Sequence, residues 1–330
     1  MNAAPDIQNE LPSVTVIIPA HNEAEFIERC IASVRATGWP SERLDILVVD
    51  NNSTDNTAAL ADRAGARVVQ QSTGRIGAIR NAGLKAARGD LVAYVDGDCT
   101  VAATWLRDAV ELFRSNNRIG AVGGPCLSPV EGTWVEKALA AYRVPRRAAN
   151  ETASLATSSF IAPRALLQEA GYFDETLSSG EDDDMSQRIR RKGLVLISAP
   201  ECYVVHYGYP RTWWALLRKQ IWHGSNQLET SAGLDPTLIL THMFLLGWLA
   251  IPPLLAMAAI YAGSVARMAL VAALLAGVLP PLSYAFKKLR AYARDSAQPL
   301  QWTAIGFAYF GGRSLGLVQN YWRRLKHSAA

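Results

Sequence analysis

Residues 91–98 read Leu-Val-Ala-Tyr-Val-Asp-Gly-Asp, an apolar run that ends in two carboxylates around a glycine. Five apolar residues followed by a turn are typical of a buried strand. Paired carboxylates with a glycine between them suit Mg²⁺ or Mn²⁺ and the phosphate that such an ion carries. In isolation the same three residues are more often an ordinary turn, so their meaning depends on the elements around them.

The chain on both sides of this run alternates between strand and helix patterns. Apolar, strand-like runs are followed by stretches with helical spacing, such as Phe26, Ile27, Cys30, Ile31 and Val34. This alternation predicts an α/β fold, a Rossmann-like and mostly parallel sheet with helices on both faces. The runs that we interpret as further strands are 14–18, 44–49, 66–69 and 120–124.

Polar side chains follow three of these strands at the point where each ends. Ligands of open α/β sheets bind beyond the carboxyl ends of the strands, so these side chains are expected to line one crevice. In that setting the Asp96-Gly97-Asp98 turn reads as a cation site. No Gly-x-Gly-x-x-Gly follows the first strand, which argues against a dinucleotide site. The three groups are His21, Asn22 and Glu23; Asp50, Asn52 and Ser53; Asp96 and Asp98.

Two further stretches carry candidate site residues. Residues 72–80, Ser-Thr-Gly-Arg-Ile-Gly-Ala-Ile-Arg, offer Arg75 and Arg80 to phosphate oxygens, or else begin a solvated helix with surface arginines. Residues 180–185 contain four consecutive acids. These acids either favour a helix N-terminus through the helix dipole or include a general base at a reacting centre.

Composition excludes two classes of protein. Hydrophobic residues make up 50% of the 330 residues and charged residues 19%, which excludes a disordered chain. The net charge of +4 divides unevenly: residues 1–235 are mildly acidic, whereas residues 236–330 hold nine Lys or Arg and one acid, Asp295. The front part therefore does not indicate nucleic-acid binding, and the basic, apolar tail favours a membrane. Four cysteines without metal or disulfide spacing indicate reduced thiols.

The tail predicts membrane helices. Residues 236–266 and 268–286 lack Lys, Arg, Asp and Glu, and about 20 apolar residues span a bilayer, so a helical hairpin at about 237–286 is expected. The alternative is a pair of buried helices in a soluble core. The basic cluster that starts at Lys287 matches a cytoplasmic loop. A third apolar helix, about 297–318, is interpreted as interfacial or re-entrant, with a third span as the alternative.

These patterns divide the chain into an N-terminal tail at 1–12, a cytoplasmic domain at 13–232 and a membrane region at 233–330. Residues 1–11 contain no apolar run, so no signal peptide is expected. The expected location is the inner (plasma) membrane, with the front domain on the cytoplasmic side.

Many short motifs, in order, resemble the family 2 glycosyltransferases with the A-type nucleotide-sugar fold. The resemblance covers about two thirds of the chain, and the tail is similar to membrane-attached members of the exopolysaccharide type. The stretches that carry it are 14–23, 48–55 (Asp-x-x-Ser-x-Asp), 80–83, 88–90, 96–98, 171–175, 180–185, 188–193 and 199–206.

The resemblance implies roles for individual residues. A nucleoside-diphosphate sugar would lie against Pro19, His21, Glu23, Asp50, Ser53, Arg75, Arg80 and Asp96. Asp98, with Asp96 beside it, would hold a divalent cation, Mg²⁺ or Mn²⁺, and His206 would approach the cation or the diphosphate. Asp182 would be the base that deprotonates the acceptor, while Asp183 and Asp184 would not.

Two departures from the family pattern narrow the predicted activity. Processive synthases carry Gln-x-x-Arg-Trp, which residues 218–224 (Arg-Lys-Gln-Ile-Trp-His-Gly) do not match, so transfer of a single sugar is expected. Residues 157–160 (Thr-Ser-Ser-Phe) replace the usual glycines or Asn on the acceptor side. The resulting hypothesis is an inverting transferase that acts on a lipid or lipid-linked acceptor at the membrane, in cell-surface polysaccharide or glycolipid synthesis.

Two alternatives remain at this point. A sugar-nucleotide nucleotidyltransferase also uses a carboxylate-held cation in an α/β fold, but it needs no membrane hairpin. It typically has a Gly-rich basic loop where this chain has Ala20-His21-Asn22-Glu23. The second alternative is a membrane scaffold of the same fold without activity, which the joint presence of Asp96, Asp98 and Asp182 disfavours.

Overall fold

The computed structural model describes residues 10–140, 148–177, 179–230, 236–261, 264–292 and 299–328. These residues form two compact units. The first contains 10–129 and 148–208, and the second contains 130–140 and 209–328. The predicted cytoplasmic domain, 13–232, thus extends beyond the first unit, because residues 209–230 pack with the C-terminal helices.

The first unit contains eleven strands in two sheets. In chain order they are β1 (Val14–Ala20), β2 (Leu44–Asp50), β3 (Arg67–Gln70), β4 (Leu91–Tyr94), β5 (Cys99–Val101), β6 (Ile119–Gly123), β7 (Cys126–Leu127), β8 (Asn150–Thr152), β9 (Phe160–Pro163), β10 (Val195–Ser198) and β11 (Val204–His206). The main sheet has the order β3-β2-β1-β4-β9-β6-β10-β8, and the small sheet has the order β5-β11-β7.

The main sheet confirms the predicted α/β fold. Strands β3, β2, β1 and β4 are parallel, as are β6 and β10, whereas β9 runs antiparallel between β4 and β6. Antiparallel β8 forms one edge of the sheet. The predicted strand runs that precede Pro19, Asp50 and Asp96 are β1, β2 and β4, so the three polar strand ends meet at one edge.

The described residues form eleven α-helices. Those of the first unit are α1 (Ile27–Arg35), α2 (Thr57–Arg63), α3 (Ile76–Ala86), α4 (Trp105–Ser115), α6 (Arg164–Glu169) and α7 (Glu181–Arg191). Those of the second unit are α5 (Trp134–Ala140), α8 (Trp213–Thr230), α9 (Pro236–Tyr261), α10 (Ser264–Tyr292) and α11 (Pro299–Ser328).

Helix α1 buries the apolar residues whose spacing predicted it, from Ile27 to Val34. Helix α3 packs on β1 and β2 through Ile79 and Leu84. Gly83 permits this approach, because a Cβ there would lie 2.4 Å from Ile17. Gly83 therefore fixes how closely the helix sits on the sheet, and with it the position of Arg80.

Two helices of the second unit are long and apolar enough to cross a membrane, within Pro236–Met257 and Arg267–Leu289. Only 17% and 28% of these stretches are buried. Trp248 donates a hydrogen bond to the carbonyl of Gly277 at 3.2 Å, so α9 packs against α10. Gly247 and Gly277 are in contact and lie at similar sequence distances from 262–263, as in an antiparallel hairpin.

The third apolar stretch is part of one 30-residue helix, α11, which is longer than the predicted 297–318. It runs beside α8, with Trp213 bonded to the carbonyl of Ala304 and Asn320 to that of Ser225. The residue numbers on the two helices rise together, so α8 and α11 are parallel. Basic residues continue the helix past 318, since their long side chains have good helix propensity.

Candidate active site

A cavity of about 240 Å³ lies at the ends of β1, β2 and β4. Six of the predicted site residues line it, which shows that the crevice expected from the strand ends exists. They are Pro19, His21, Glu23, Asp96, Asp98 and His206, and the remaining lining residues are Ala20, Asn51, Ile76, Ile79 and Gly97.

The loops after β1 and β2 hold each other through side chains. His21 Nδ1 lies 2.7 Å from the carbonyl oxygen of Asn51, and the amide of Asn22 donates to Ser53 Oγ at 2.9 Å. Asn22 and Asn52 both adopt positive φ, which asparagine tolerates better than most residues. Ser53, predicted to bind the nucleotide, thus has an observed role in fixing the loop that carries His21.

Acidic side chains give this edge a negative potential. Burial is the main cause of a raised pKa at the Cys30 thiol, and the charges of Asp98, Asp96 and Glu23 raise it further. Three carboxylates therefore converge on the region beneath the cavity. Such a concentration of negative charge attracts a cation.

Asp98 and His206 form the candidate metal-binding pair. Asp98 Oδ2 lies 3.3 Å from His206 Nε2, and both side chains are largely buried. Asp98 follows β4 and His206 ends β11, which pairs with β5, so the small sheet brings together residues 108 positions apart. Gly208 makes room for the carboxylate, because a Cβ there would lie 1.9 Å from Asp98 Oδ2. Cys99 is the third member of this group, with ligand atoms within 4.8 Å of one another.

Arg80 links the Asp96 end of β4 to the acidic start of α7. Its guanidinium is buried, forms an ion pair with Glu181 and lies 3.8 Å from Asp96 Oδ1. The ion-pair partners of Arg80 among the described residues are these two carboxylates. The residue therefore fixes the position of Glu181 and, through it, of Asp182. The predicted contact of Arg80 with a diphosphate stays a prediction.

The four consecutive acids have four different environments, as the change of direction along a helix requires. Glu181 is buried against Arg80, Asp183 accepts a hydrogen bond from Ser154, and Asp184 pairs with Arg188 at 2.6 Å. Asp182 accepts the backbone N–H of Asp183 at 3.0 Å and has no cationic partner within ion-pair distance among the described residues. Burial raises the pKa of Asp182, and the negative charge of Glu181 raises it further.

Five predicted site residues lie outside the cavity lining. Ser53, Arg80 and Asp182 are described above, and the other two are Asp50 and Arg75. Asp50 is buried at the end of β2, where Oδ2 accepts the N–H of Ser53 at 3.4 Å, and Oδ1 has no hydrogen-bond partner among the described residues. Arg75 is exposed at the start of α3 and donates to the carbonyl of Thr176. Their binding roles remain predictions.

Some residues of the site escaped the sequence reasoning. Asn51 lines the cavity, yet only its neighbours Asp50 and Asn52 were singled out. Glu181 was assigned no partner, because Arg80 lies 101 residues away. Asn81 bonds Phe173 through both its amide and its carbonyl, and this contact orients the loop before α7. The sequence did offer one signal for these contacts, because Arg80 and Asn81 belong to the 80–83 motif that resembles the family.

The comparison with protein families decides the identity of the first unit. Residues 15–170 match the sequence model described as Glycosyl transferase family 2. The chain carries a family 2 glycosyltransferase domain. The match spans the strands that form the cavity as well as α3 with Arg80.

Named relatives agree with this family. Glycosyltransferase AglE of Haloferax volcanii is 29% identical over 257 residues, 74% of this glycosyltransferase and 83% of the relative. The pre-mycofactocin glycosyltransferase of Mycobacterium tuberculosis is 30% identical over 209 residues, 58% of this chain and 42% of the relative. The chain thus spans most of the first relative and less than half of the second.

Solved structures show the same fold. The mannosyltransferase PcManGT from Pyrobaculum calidifontis, in complex with GDP-Man and Mn²⁺, superposes with a TM-score of 0.52 at 22% identity, covering 98% of this chain and 90% of that one. GalNAc-T7 with UDP, GalNAc and Mn²⁺ gives a TM-score of 0.51 at 19% identity, covering 68% and 52%. The A-type glycosyltransferase fold expected from the sequence is confirmed.

Proposed function

We propose that this glycosyltransferase transfers one sugar from a nucleoside-diphosphate sugar to a lipid or lipid-linked acceptor, with inversion at the anomeric carbon. The reaction takes place at the cytoplasmic face of the inner (plasma) membrane, in the synthesis of a surface polysaccharide or glycolipid. The observation that carries the proposal is the connection from the acid-lined cavity through Asp96, Arg80 and Glu181 to Asp182.

The donor is assigned to the cavity at the strand ends. Its acidic lining attracts a cation, and the glycine of the Asp96-Gly97-Asp98 turn leaves room for the cation with its diphosphate. PcManGT and GalNAc-T7, which share the fold, hold GDP-Man and UDP together with Mn²⁺. These complexes support a nucleotide sugar here, while the base and the sugar are left to experiment.

A divalent cation fits Asp98 and His206. One carboxylate oxygen and one imidazole nitrogen lie within ion-pair distance, and Gly208 leaves the carboxylate the space it needs. Carboxylate and imidazole ligands suit Mn²⁺, and carboxylates with phosphate oxygens suit Mg²⁺. When bound, such an ion supplies positive charge that stabilises a departing nucleoside diphosphate.

Asp182 is the proposed base. Glu181 pairs with Arg80, Asp183 accepts a hydrogen bond from Ser154 and Asp184 pairs with Arg188. Among the described residues, Asp182 is the one of the four acids without such a side-chain partner, so we assign proton acceptance to it. Its raised pKa makes it a stronger base than an ordinary aspartate. It takes the proton of the acceptor hydroxyl, whose oxygen attacks the anomeric carbon opposite the diphosphate, and this in-line displacement inverts the configuration.

The second unit supports a membrane location. Leu246, Leu249 and Ile260 on α9, and Val265, Met268 and Phe286 on α10, are exposed large apolar side chains. Contiguous apolar faces of this size are characteristic of contact with hydrocarbon. Lys287 and the basic residues after it favour the cytoplasmic side for the end of α10.

The test is product analysis. Purified full-length protein in lipid nanodiscs is offered a panel of nucleoside-diphosphate sugars and a membrane lipid extract, and products are identified by mass spectrometry. A lipid heavier by one sugar residue, together with free nucleoside diphosphate, is the expected result, and EDTA should abolish it. Release of pyrophosphate from a nucleoside triphosphate and a sugar phosphate would instead identify a nucleotidyltransferase. Absence of any product with every donor would favour the inactive scaffold.

A further inference from the structure

Two cationic side chains and one histidine lie together where α8 and α11 pack against each other in the second unit. Lys219 and His223 are four residues apart and share one face of α8. Arg313 of α11 reaches the same face, because its Nε donates to Gln220 Oε1 at 3.2 Å. We call Lys219, His223 and Arg313 the α8–α11 cation cluster.

The backbone holds this cluster in place. A Cβ at Gly224 would lie 2.2 Å from the carbonyl oxygen of Arg313, and one at Gly312 would lie 2.5 Å from Gln220 Cβ. The two helices therefore meet at backbone contact directly beside the cluster. Arg313 is fixed further by the ring of Tyr309, whose centre lies 4.4 Å from the guanidinium carbon. The guanidinium is thus oriented in advance and not free to swing.

No anion of the protein compensates this charge in the part of the chain that the structure describes. Neither Lys219 nor Arg313 has a carboxylate within 4 Å there. Residues 209–328 contain twelve Lys or Arg and three acids, of which none belongs to α9, α10 or α11. Burial, assisted by Arg313 and Lys219, lowers the pKa of His223 to about 4, so its ring is neutral at pH 7.

The surroundings of the cluster are those of a membrane surface. Trp214 and Trp222 on α8 and Trp322 on α11 are each more than 60% exposed. Tryptophan is enriched at the level of lipid headgroups, where one side of the ring is apolar and the other is wet. Trp222 stands against His223, with ring centres 5.0 Å apart. The exposed aromatic rings therefore place the cations at headgroup depth.

We propose that the α8–α11 cation cluster binds the phosphate monoester or diphosphate group of a membrane lipid. Two neighbouring positive charges, of which Arg313 is held in place, match a dianionic group better than the single charge of an ordinary phosphodiester headgroup. Arg313 offers its terminal N–H groups in a fork, Lys219 adds a point charge, and the neutral His223 adds one further donor. The assignment rests on the proposed function in that a lipid-linked acceptor carries such a group.

The test measures binding separately from sugar transfer. Full-length protein in nanodiscs of neutral phosphatidylcholine, with EDTA present, is titrated with farnesyl diphosphate, and bound lipid is quantified by native mass spectrometry. Phosphatidylglycerol and inorganic phosphate are the comparison ligands. Lys219→Gln and Arg313→Gln remove the cluster's charges, and Lys287→Gln removes an exposed charge from α10 as the matched control.

We expect farnesyl diphosphate to bind more tightly than either comparison ligand. A basic residue near a membrane surface contributes about 1 kcal/mol, so each cluster variant should weaken binding ~5-fold and the double variant ~30-fold. Lys287→Gln should change it by less than about 2-fold. Equal binding by the double variant, or equal losses for Lys287→Gln, would overturn the proposal. Equal affinity for phosphatidylglycerol or for inorganic phosphate would also overturn it.

Two controls keep the result decisive. Lys219 is exposed, so Lys219→Gln should leave the packing of α8 on α11 intact. If Arg313→Gln proves unstable, lipid binding by Lys219→Gln is the deciding measurement. Arg313→Lys retains the charge and should retain most of the binding. Undiminished sugar transfer by the double variant would contradict this inference and leave the proposed function standing. Intact lipid binding without any sugar product would contradict the proposed function and leave this inference standing.

Discussion

Asp182 sits at the start of a helix whose other acids are all engaged. The dipole of α7 favours negative charge in its first turn, yet burial and the charge of Glu181 raise the pKa of Asp182. Asp184, by contrast, has Arg188 as a partner one turn away. The direction of each side chain along this helix therefore separates the proposed base from the carboxylates that have structural partners.

Asp182→Asn should lower kcat by about 10²–10⁴-fold and leave the KM for the nucleotide sugar nearly unchanged, because a positioned base acts in the chemical step. The amide keeps the shape of the side chain and removes the proton acceptor. Initial rates at saturating acceptor measure this effect. Asp184→Asn is the control, and it should keep near-normal turnover. Loss of activity in Asp184→Asn with retention in Asp182→Asn would reassign the base.

The same variant should also change stability in a pH-dependent way. The native pKa of Asp182 is raised, so the folded state favours the protonated carboxyl. Its contribution to stability is complete below the unfolded pKa of about 3.9 and is lost as the pH rises through the native pKa. Asp182→Asn should therefore raise the melting temperature at pH 7.5, and the gain should vanish near pH 4. A variant less stable than wild type at both pH values would contradict this reasoning.

Arg80 and Glu181 form a buried ion pair, with both side chains 7% exposed. Replacing Arg80 by Met leaves the Glu181 charge buried without its partner, which typically costs about 3–5 kcal/mol. The exposed pair Arg63–Glu28 is the control, and Arg63→Ala should cost no more than about 1 kcal/mol. Urea unfolding followed by fluorescence gives both values. Equal losses for the two variants would show that burial of the Arg80 pair has no special weight.

At the scale of elements, three glycines set how closely α11 approaches α8. They are Gly224, Gly312 and Gly316. A Cβ at Gly316 would lie 2.1 Å from the carbonyl oxygen of Ile221, whereas a Cβ at Gly311 would meet nothing within 4 Å. Gly316→Ala should therefore destabilise the second unit by about 1–3 kcal/mol. Gly311→Ala should be neutral or stabilise it by up to about 1 kcal/mol through helix propensity. Melting curves in detergent compare the two, and the opposite order would contradict the observed packing.

The elements around the candidate site were largely predictable because their signals are local. Apolar runs before Pro19, Asp50 and Asp96 predicted β1, β2 and β4, and the parallel order then required their ends to meet. The pairing of Asp98 with His206 had no local signal, since it depends on β11 joining β5. The resemblance supplied His206, but the sequence could not show what holds it there.

Arg80 illustrates the other limit of sequence reasoning. An arginine near glycines predicts phosphate binding, but no sequence pattern indicated that Arg80 also has a buried carboxylate partner in the fold. Glu181 comes from a helix that is distant in sequence, and only the packing of α3 and α7 around the main sheet brings the two together. The short strand β9, antiparallel between β4 and β6, escaped prediction for the same reason.

At the scale of the whole molecule, the two units divide the chemistry. The acidic cavity belongs to the first unit and the basic, apolar helices to the second. Residues 130–140 join the second unit although they lie between two parts of the first, and nothing in their composition indicated this. The division explains why the net charge of the chain describes neither part.

The second unit should keep the protein in membranes. Its two helices that are long and apolar enough to cross a membrane are mostly exposed, and the proposed membrane location rests on them. Full-length protein expressed in bacteria should remain in the membrane pellet after extraction with alkaline carbonate and leave it with detergent. Recovery in the carbonate supernatant without detergent would contradict membrane insertion.

The central claim is that the cavity binds a nucleotide sugar through a cation at Asp98, while Asp182 acts on the acceptor. Calorimetric titration of a nucleoside-diphosphate sugar, with Mn²⁺ or with EDTA, tests it directly in three proteins. Wild type and Asp182→Asn should bind with similar affinity in Mn²⁺, and both should lose binding in EDTA. Asp98→Ala should bind weakly under both conditions. Equal affinity of Asp98→Ala and wild type, with no effect of EDTA, would contradict the account.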